Sequence, residues 1–271
     1  RRRAVSLFET EDTKRGNDMA RQRIEDVRKY IDLHGEASVE DLVELCGGCS
    51  KMTIWRYLQR LEEEGAIRRI RGGAISNNVR GDMEGLYSQR MYENTEAKRR
   101  IAGAALPYLE PQCSIFLDAG STIMSLVKQL PNLRYTIVTS GTNIAIELSQ
   151  RYDMSVSCVG GQISGSTLSL SGPQAEAFLD TVNIDTAVLS ASGYSQKGGF
   201  SIGSYTESLL KRRAIEKAGR VILLMDSSKL ERTLPFTFAT LSDIHVLICD
   251  GPLPESLLAE AREQGVEVVV V

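Results

Sequence analysis

The chain has 271 residues, 42% of them hydrophobic and 25% charged, with a formal net charge of −3, the composition of a soluble globular protein long enough for two domains with separate cores. No apolar run approaches a membrane span and the arginine-rich start has no signal-peptide pattern, so a cytoplasmic protein with no membrane partner is expected. Five cysteines, an odd number, fit a reducing compartment rather than a disulfide framework, and the isolated pair Cys46 and Cys49 lacks the further ligands zinc requires, so no metal and no cofactor is expected.

Residues 1–20 are polar with charges of both signs and are expected to be poorly ordered. Ile24, Val27 and Ile31 then start a helical stripe that stops near Gly35. Ser38 with Asp41 forms a capping-box variant ahead of Val39, Leu42, Val43 and Cys46, which predicts a short second helix. After the turn at Gly47-Gly48-Cys49, Ser50 is placed to cap a third helix. Its stripe of Ile54, Leu58 and Leu61 leaves Met52, Thr53, Arg56, Gln59 and Arg60 on the other face. Ser50, Lys51 and the first free amides suit a phosphate, whereas Arg56, Gln59 and Arg60 suit base edges. Past Gly65, a tight turn at Gly72-Gly73 is expected to fold Arg68, Arg69 and Arg71 into a basic wing. Residues 21–76 are thus expected to form a small α+β winged helix-turn-helix domain that binds duplex operator DNA. The overall negative charge does not oppose this, because residues 1–80 hold 16 cations against 14 anions and the remainder 16 against 21. One winged helix covers a single half-site, so a homo-oligomer, dimer or tetramer, is expected.

Residues 77–94, rich in Asn, Gly and mixed charge, are expected to be a linker. Residues 95–271 alternate near-continuous apolar runs with helical patterns, which predicts an α/β Rossmann-like domain with a mostly parallel sheet covered on both faces. In such sheets ligands sit at the carboxyl ends of the strands. The residues expected there are small and hydroxylic: Asp118, Gly120, Ser121 and Thr122; Thr139 and Ser140; Gly160, Gly161 and Gln162; Ser171 and Gly172; and Ser190 to Gly193. Lys229 adds a cation after a later strand. This rim suits a small phosphorylated sugar, and the absence of G-x-x-x-x-G-K-[ST] and of a strand-linked G-x-G-x-x-G disfavours a nucleotide. A sugar-phosphate isomerase with an attached DNA-binding domain is the competing reading. Its general base is missing, since no Asp or Glu occurs from Thr186 to Thr206, so no catalytic residue and no enzyme are expected.

From about Arg21 onward the chain resembles bacterial transcription regulators of the DeoR family. The resemblance rests on Thr53-Ile54 with Arg56 and Leu58, on Arg71-Gly72-Gly73-Ala74, and on LDAGST, VTSGTNIA, GGQ, SGPQA and LLMDSSK in that order. It implies a repressor released from its operator by a phosphorylated metabolite, and a second domain similar to ribose-5-phosphate isomerase. Two departures stand out. Trp55-Arg56-Tyr57 occupies the place of the family's usual Arg-Arg-Asp, and Thr139-Ser140 that of Thr-Asn, with the nearest Asn at Asn143.

Overall fold

Val27, Ile31, Leu42, Ile54, Leu58, Leu61 and Ile67 close into one apolar core, each fully or almost fully buried. This core belongs to the first of two units, Arg1–Asp82 and Met83–Val271, in a computed structural model that describes residues 11–76 and 87–271. Around it run α1 (Glu11–His34), β1 (Glu36–Ser38), α2 (Val39–Leu45), α3 (Lys51–Glu63), β2 (Ile67–Ile70) and β3 (Gly73–Ser76). Ser38 and Asp41 complete the capping box of α2, and Ser50 caps α3. The polar third residue of the expected reading face pattern is replaced by Tyr57, which is buried in the same core, with Trp55 packed half-buried beside it.

Three local expectations are corrected. The first helix starts at Glu11, so residues 11–20 are helical rather than irregular; no proline interrupts that stretch. Residues 1–10 lie outside the described residues. The wing contains a third strand, β1, which pairs with β3 in the order β1-β3-β2, a segment too short to show an alternating pattern. Finally, Ile70 pairs with Gly73, so the turn is Arg71-Gly72, with Gly72 at a φ of +87°. Gly73 is instead a strand residue whose missing side chain lets Ala37 approach: a Cβ there would lie 2.1 Å from the Ala37 carbonyl oxygen.

The second unit begins with α4 (Tyr87–Arg90) and α5 (Thr95–Ala105) and continues with β4 (Ser114–Leu117), α6 (Ser121–Gln129), β5 (Tyr135–Thr139), α7 (Thr142–Ser149) and β6 (Met154–Cys158). A hairpin follows, β7 (Gln162–Ile163) and β8 (Leu170–Ser171), then α8 (Pro173–Asp180), β9 (Ile184–Ser190), β10 (Gly193–Ser195), β11 (Gly199–Ile202) and α9 (Tyr205–Lys217). The chain finishes with β12 (Ala218–Met225), β13 (Phe236–Ala239), β14 (Val246–Cys249), α10 (Glu255–Glu263) and β15 (Glu267–Val270). Seven strands form a parallel sheet in the order β15-β14-β12-β9-β4-β5-β6. Alternate residues of each strand face opposite sides. Ile115, Leu117, Ile137, Val188 and Ile222 meet the apolar residues of α5, α6 and α7 on one side. Phe116, Val138, Leu189, Leu223 and Leu247 meet those of α8, α9 and α10 on the other. A small antiparallel sheet, β10-β11-β13, and the helix α8 were not read from the sequence.

Residues 87–94, expected as linker, pack onto this unit. The Tyr87 amide donates to the Ser166 carbonyl at 2.7 Å, and Asn94 Nδ2 donates to Asp226 at 2.9 Å and to Ser228 at 3.1 Å. The buried Lys98 ammonium caps the carbonyls of Arg90 and, at 2.7 Å, Glu93. The rest of that expected linker, residues 77–86, lies outside the described residues.

Gly73→Ala is expected to cost about 1–3 kcal/mol, because its methyl group overpacks a backbone-to-backbone contact. Trp55, the chain's one tryptophan, lies in this unit, so urea unfolding followed by its fluorescence measures the loss directly. An unchanged midpoint would show that β1 and β3 can separate at no cost.

Candidate DNA interface and effector rim

The polar face of α3 is largely occupied by contacts within the protein. Ser50 Oγ accepts the Thr53 amide at 3.2 Å and pairs with the Thr53 hydroxyl at 2.9 Å. Lys51 is drawn to Glu40 of α2. Each glutamate at the end of α3 then takes one partner: Gln59 donates to Glu63 at 3.0 Å, Arg60 to Glu64 at 3.1 Å, and Arg69 of the wing to Glu62 at 2.6 Å. The Arg69 amide also donates to Glu62 at 2.9 Å, and this bond followed by the guanidinium holds the Glu62 carboxyl below its ordinary range. Exposed pairs of this kind are worth little in water and can be exchanged for phosphate contacts. The side chains of Arg56, Arg68 and Arg71 are exposed and make no hydrogen bond or ion pair among the described residues. Met52 projects from the first turn, 78% exposed.

The second unit gathers its polar groups where the strand order reverses. The chain runs from β4 outward through β5 to β6, then returns to β9 on the other side of β4, and such a switch point opens a crevice at the strand ends. Asp118 directly follows β4 there. Its Oδ2 accepts the Ser190 amide at 3.1 Å and the Ser190 hydroxyl at 2.7 Å, and forms an ion pair with Lys211 of α9. Lys211 also donates to the Ser190 carbonyl at 2.9 Å and lies 5.1 Å from the Phe238 ring centre. Burial pushes the Asp118 carboxyl up, but the Lys211 charge and the Lys211 and Ser190 hydrogen bonds outweigh it and hold the group below its ordinary value. At Gly120 a Cβ would lie 2.2 Å from Ser190 Oγ, so a side chain there would have to displace that hydroxyl from Asp118. Ser121 and Thr122 follow in the first turn of α6; both residues are largely buried, and their hydroxyls make no hydrogen bond among the described residues.

A second group adjoins α9 one turn earlier. The Leu170 amide donates to the Ser140 carbonyl at 2.7 Å, Ser171 Oγ pairs with Thr206 at 2.9 Å, and Thr167 donates to the buried Glu207 at 2.7 Å. Gly161 packs on Ser171, whose carbonyl oxygen a Cβ there would approach to 2.4 Å, and Gln162 pairs with Ser171 across the hairpin. Gly172 starts α8, while Gly160 is exposed with open space around it. One expected residue is engaged otherwise: Thr139 is fully buried and donates to the Leu117 carbonyl at 2.7 Å while accepting the Gly141 amide at 3.0 Å, so its hydroxyl shapes the turn. Lys229 follows the carboxyl end of β12, the strand beside β9, near the buried Lys98, whose ammonium is disfavoured first by burial and also by Lys229.

Sequence reasoning missed Lys211 and Thr167. Lys211 sits in the run Lys211-Arg212-Arg213, which reads as a solvated helix face, and nothing in the sequence separates it from its neighbours. Asn143 also gains interest, because both polar atoms of its carboxamide are buried without a hydrogen bond, as is the Tyr87 hydroxyl. Burial pushes the Tyr87 hydroxyl up, with Asn143 and Arg90 acting against it. No group of three or more His, Cys, Asp or Glu is arranged to hold a metal among the described residues, and none of their helices is long and apolar enough to cross a membrane.

Lys211→Met would leave the Asp118 carboxylate buried without its counter-charge, and a loss of about 3–5 kcal/mol at neutral pH is expected. In the parent, the depressed Asp118 contributes stability above its unfolded value, lost as pH falls through the folded one. In the variant, burial without Lys211 raises the carboxyl, so protonation relieves the penalty. Urea midpoints at pH 7 and pH 4.5 are therefore expected to lie closer between the two proteins at the lower pH; a gap independent of pH would remove the ion pair as its cause.

Residues 23–80 match the DeoR-like helix-turn-helix domain and residues 93–251 the DeoR C terminal sensor domain. The chain is 35% identical over 246 residues to the HTH-type transcriptional regulator GlpR of Haloferax volcanii, covering 89% of this chain and 95% of that protein. It is 32% identical over 248 residues to the L-fucose operon activator of Haemophilus influenzae, covering 92% and 99%. It is 30% identical over 250 residues to the HTH-type transcriptional repressor GlcR of Bacillus subtilis, covering 92% and 95%. These relatives are named as a transcriptional regulator, an operon activator and a transcriptional repressor. The chain belongs to the DeoR family of helix-turn-helix, DNA-binding transcriptional regulators.

Proposed function

We propose that the protein is a cytoplasmic repressor of sugar-metabolism genes that holds duplex operator DNA as a dimer or tetramer and is modulated by a phosphorylated sugar on the rim of its second unit. The observation that carries the sensing half is the pair of hydroxyls of Ser121 and Thr122 in the first turn of α6, beside Asp118: both residues are buried, yet neither hydroxyl is hydrogen-bonded among the described residues. Unpaired amides and hydroxyls at the positive end of a helix attract a phosphate. Asp118 and the Ser140 to Gly172 group offer acceptors and donors for sugar hydroxyls. Two relatives carry operon or repressor names, one an L-fucose operon activator and one the repressor GlcR, which supports a sugar-linked operon as the target. Repression is favoured over activation by the relatives named as repressors, GlcR and a further one named for the aga operon.

The same carboxylates argue against isomerase chemistry. Asp118 is tied to Lys211 and Ser190 and held below its ordinary range, which makes it a weak base. Glu207 accepts from Thr167 and is engaged in the hairpin contact.

On the DNA side, Ser50, Lys51, Met52 and Thr53 start the reading helix, Arg56, Gln59 and Arg60 continue it, and Arg68, Arg69 and Arg71 supply the wing. The three arginines without internal partners, Arg56, Arg68 and Arg71, are proposed to make the first contacts. Linkage then requires that if ligand weakens operator binding, operator weakens ligand binding by the same factor.

In a thermal-shift panel of phosphorylated sugars, a ligand at a hundred times its dissociation constant is expected to add about 2.7 kcal/mol of stability, and its unphosphorylated counterpart to add none. A panel without any shift would overturn the sensing half. Arg56→Ala is expected to weaken operator binding by about 1–3 kcal/mol and to relax preference at one base pair. Titrations against the operator and its single-base variants check this, and an equal loss on every sequence would reduce Arg56 to a phosphate contact.

A further inference from the structure

The first turn of α3 is where a helix of this kind meets base edges. Three of its four leading side chains are already engaged: Ser50 caps the helix, Thr53 bonds Ser50, and Lys51 is drawn to Glu40. The fourth, Met52, is 78% exposed, and it is absent from the apolar core that takes Ile54, Tyr57, Leu58 and Leu61. It stands one turn before Arg56, on the same stripe, and Arg56 has no internal partner either. An unbranched thioether has no hydrogen to donate to a phosphate, and left in water it keeps its apolar surface hydrated. In the major groove the one apolar group that marks a base is the 5-methyl of thymine. Met is also the side chain best able to adapt its shape to such a contact.

We propose that Met52 is a specificity-determining residue that reads the 5-methyl group of a thymine in each operator half-site, next to the base pair met by Arg56. The inference rests on α3 being the DNA-reading helix. It assigns the first turn an apolar readout, with the hydrogen-bonding readout left to Arg56. Removing the methyl from thymine deletes the contact without altering any donor or acceptor on the base edge, so the prediction separates this readout from every polar one.

The test starts with the full chain selecting its own operator from random duplexes. Each thymine of the selected site is then replaced in turn by deoxyuridine, and binding is measured for the parent, Met52→Ala and Met52→Leu. One replacement per half-site is expected to weaken the parent about fourfold, the worth of roughly one buried methyl group. The same replacement is expected to leave Met52→Ala almost unaffected, while Met52→Leu keeps most of the discrimination. Met52 is exposed, so thermal midpoints of the variants should match the parent's and exclude misfolding. Equal losses in parent and Met52→Ala, or no thymine whose methyl matters, would overturn the proposal. A selection that enriches no sequence at all would instead count against sequence-specific reading by α3 itself.

Discussion

The second unit depends on a buried ion pair at the one place where its sheet changes direction. Asp118 directly follows β4, Ser190 ends β9, and Lys211 projects from α9, so the contact joins three elements that are separate in sequence. Each member would be costly alone in that environment, and together they fix the ends of two neighbouring strands. Because the carboxylate is held down by the ammonium, it remains a charged acceptor rather than a proton carrier. A rim built this way is suited to holding a ligand in place. One turn earlier on the same helix, Thr206 and Glu207 anchor the hairpin that carries Ser171 and Thr167, so α9 ties both groups of polar residues to one rigid rod.

The first unit handles charge in the opposite manner. Glu62, Glu63 and Glu64 sit at the end of α3, where each engages a side chain of the face proposed to meet DNA. Such contacts cost little to break. They keep the wing against the helix end through Glu62 and Arg69 while leaving the side chains of three arginines and one methionine disengaged. The proposed reading surface is thus partly preassembled and partly unengaged.

Most of the architecture was legible because burial leaves a strong pattern. The parallel strands read as continuous apolar runs such as Val221 to Met225, and the stripe of Ile54, Leu58 and Leu61 located the reading helix to within a residue or two. What escaped was set by tertiary contact rather than local preference. β1 has three residues and exists because β3 lies beside it; Gly73 looked like half of a turn but is a strand residue relieved of its side chain for Ala37. Lys211 is chemically indistinguishable in sequence from Arg212 and Arg213, yet it alone of the three is buried at the rim. Of the rim residues read from the sequence, Asp118, Gly120, Ser121 and Thr122 lie together, while Thr139 serves its own turn.

Gly120 and Ser190 bear on the same carboxylate. A side chain at Gly120 would displace the Ser190 hydroxyl from Asp118, and loss of that hydroxyl would remove the same hydrogen bond. Ser121 and Thr122 differ, since among the described residues nothing bonds to their hydroxyls. In the proposed sensor, substitutions that retune ligand preference would therefore fall on those two neighbours and leave the ion pair behind them intact.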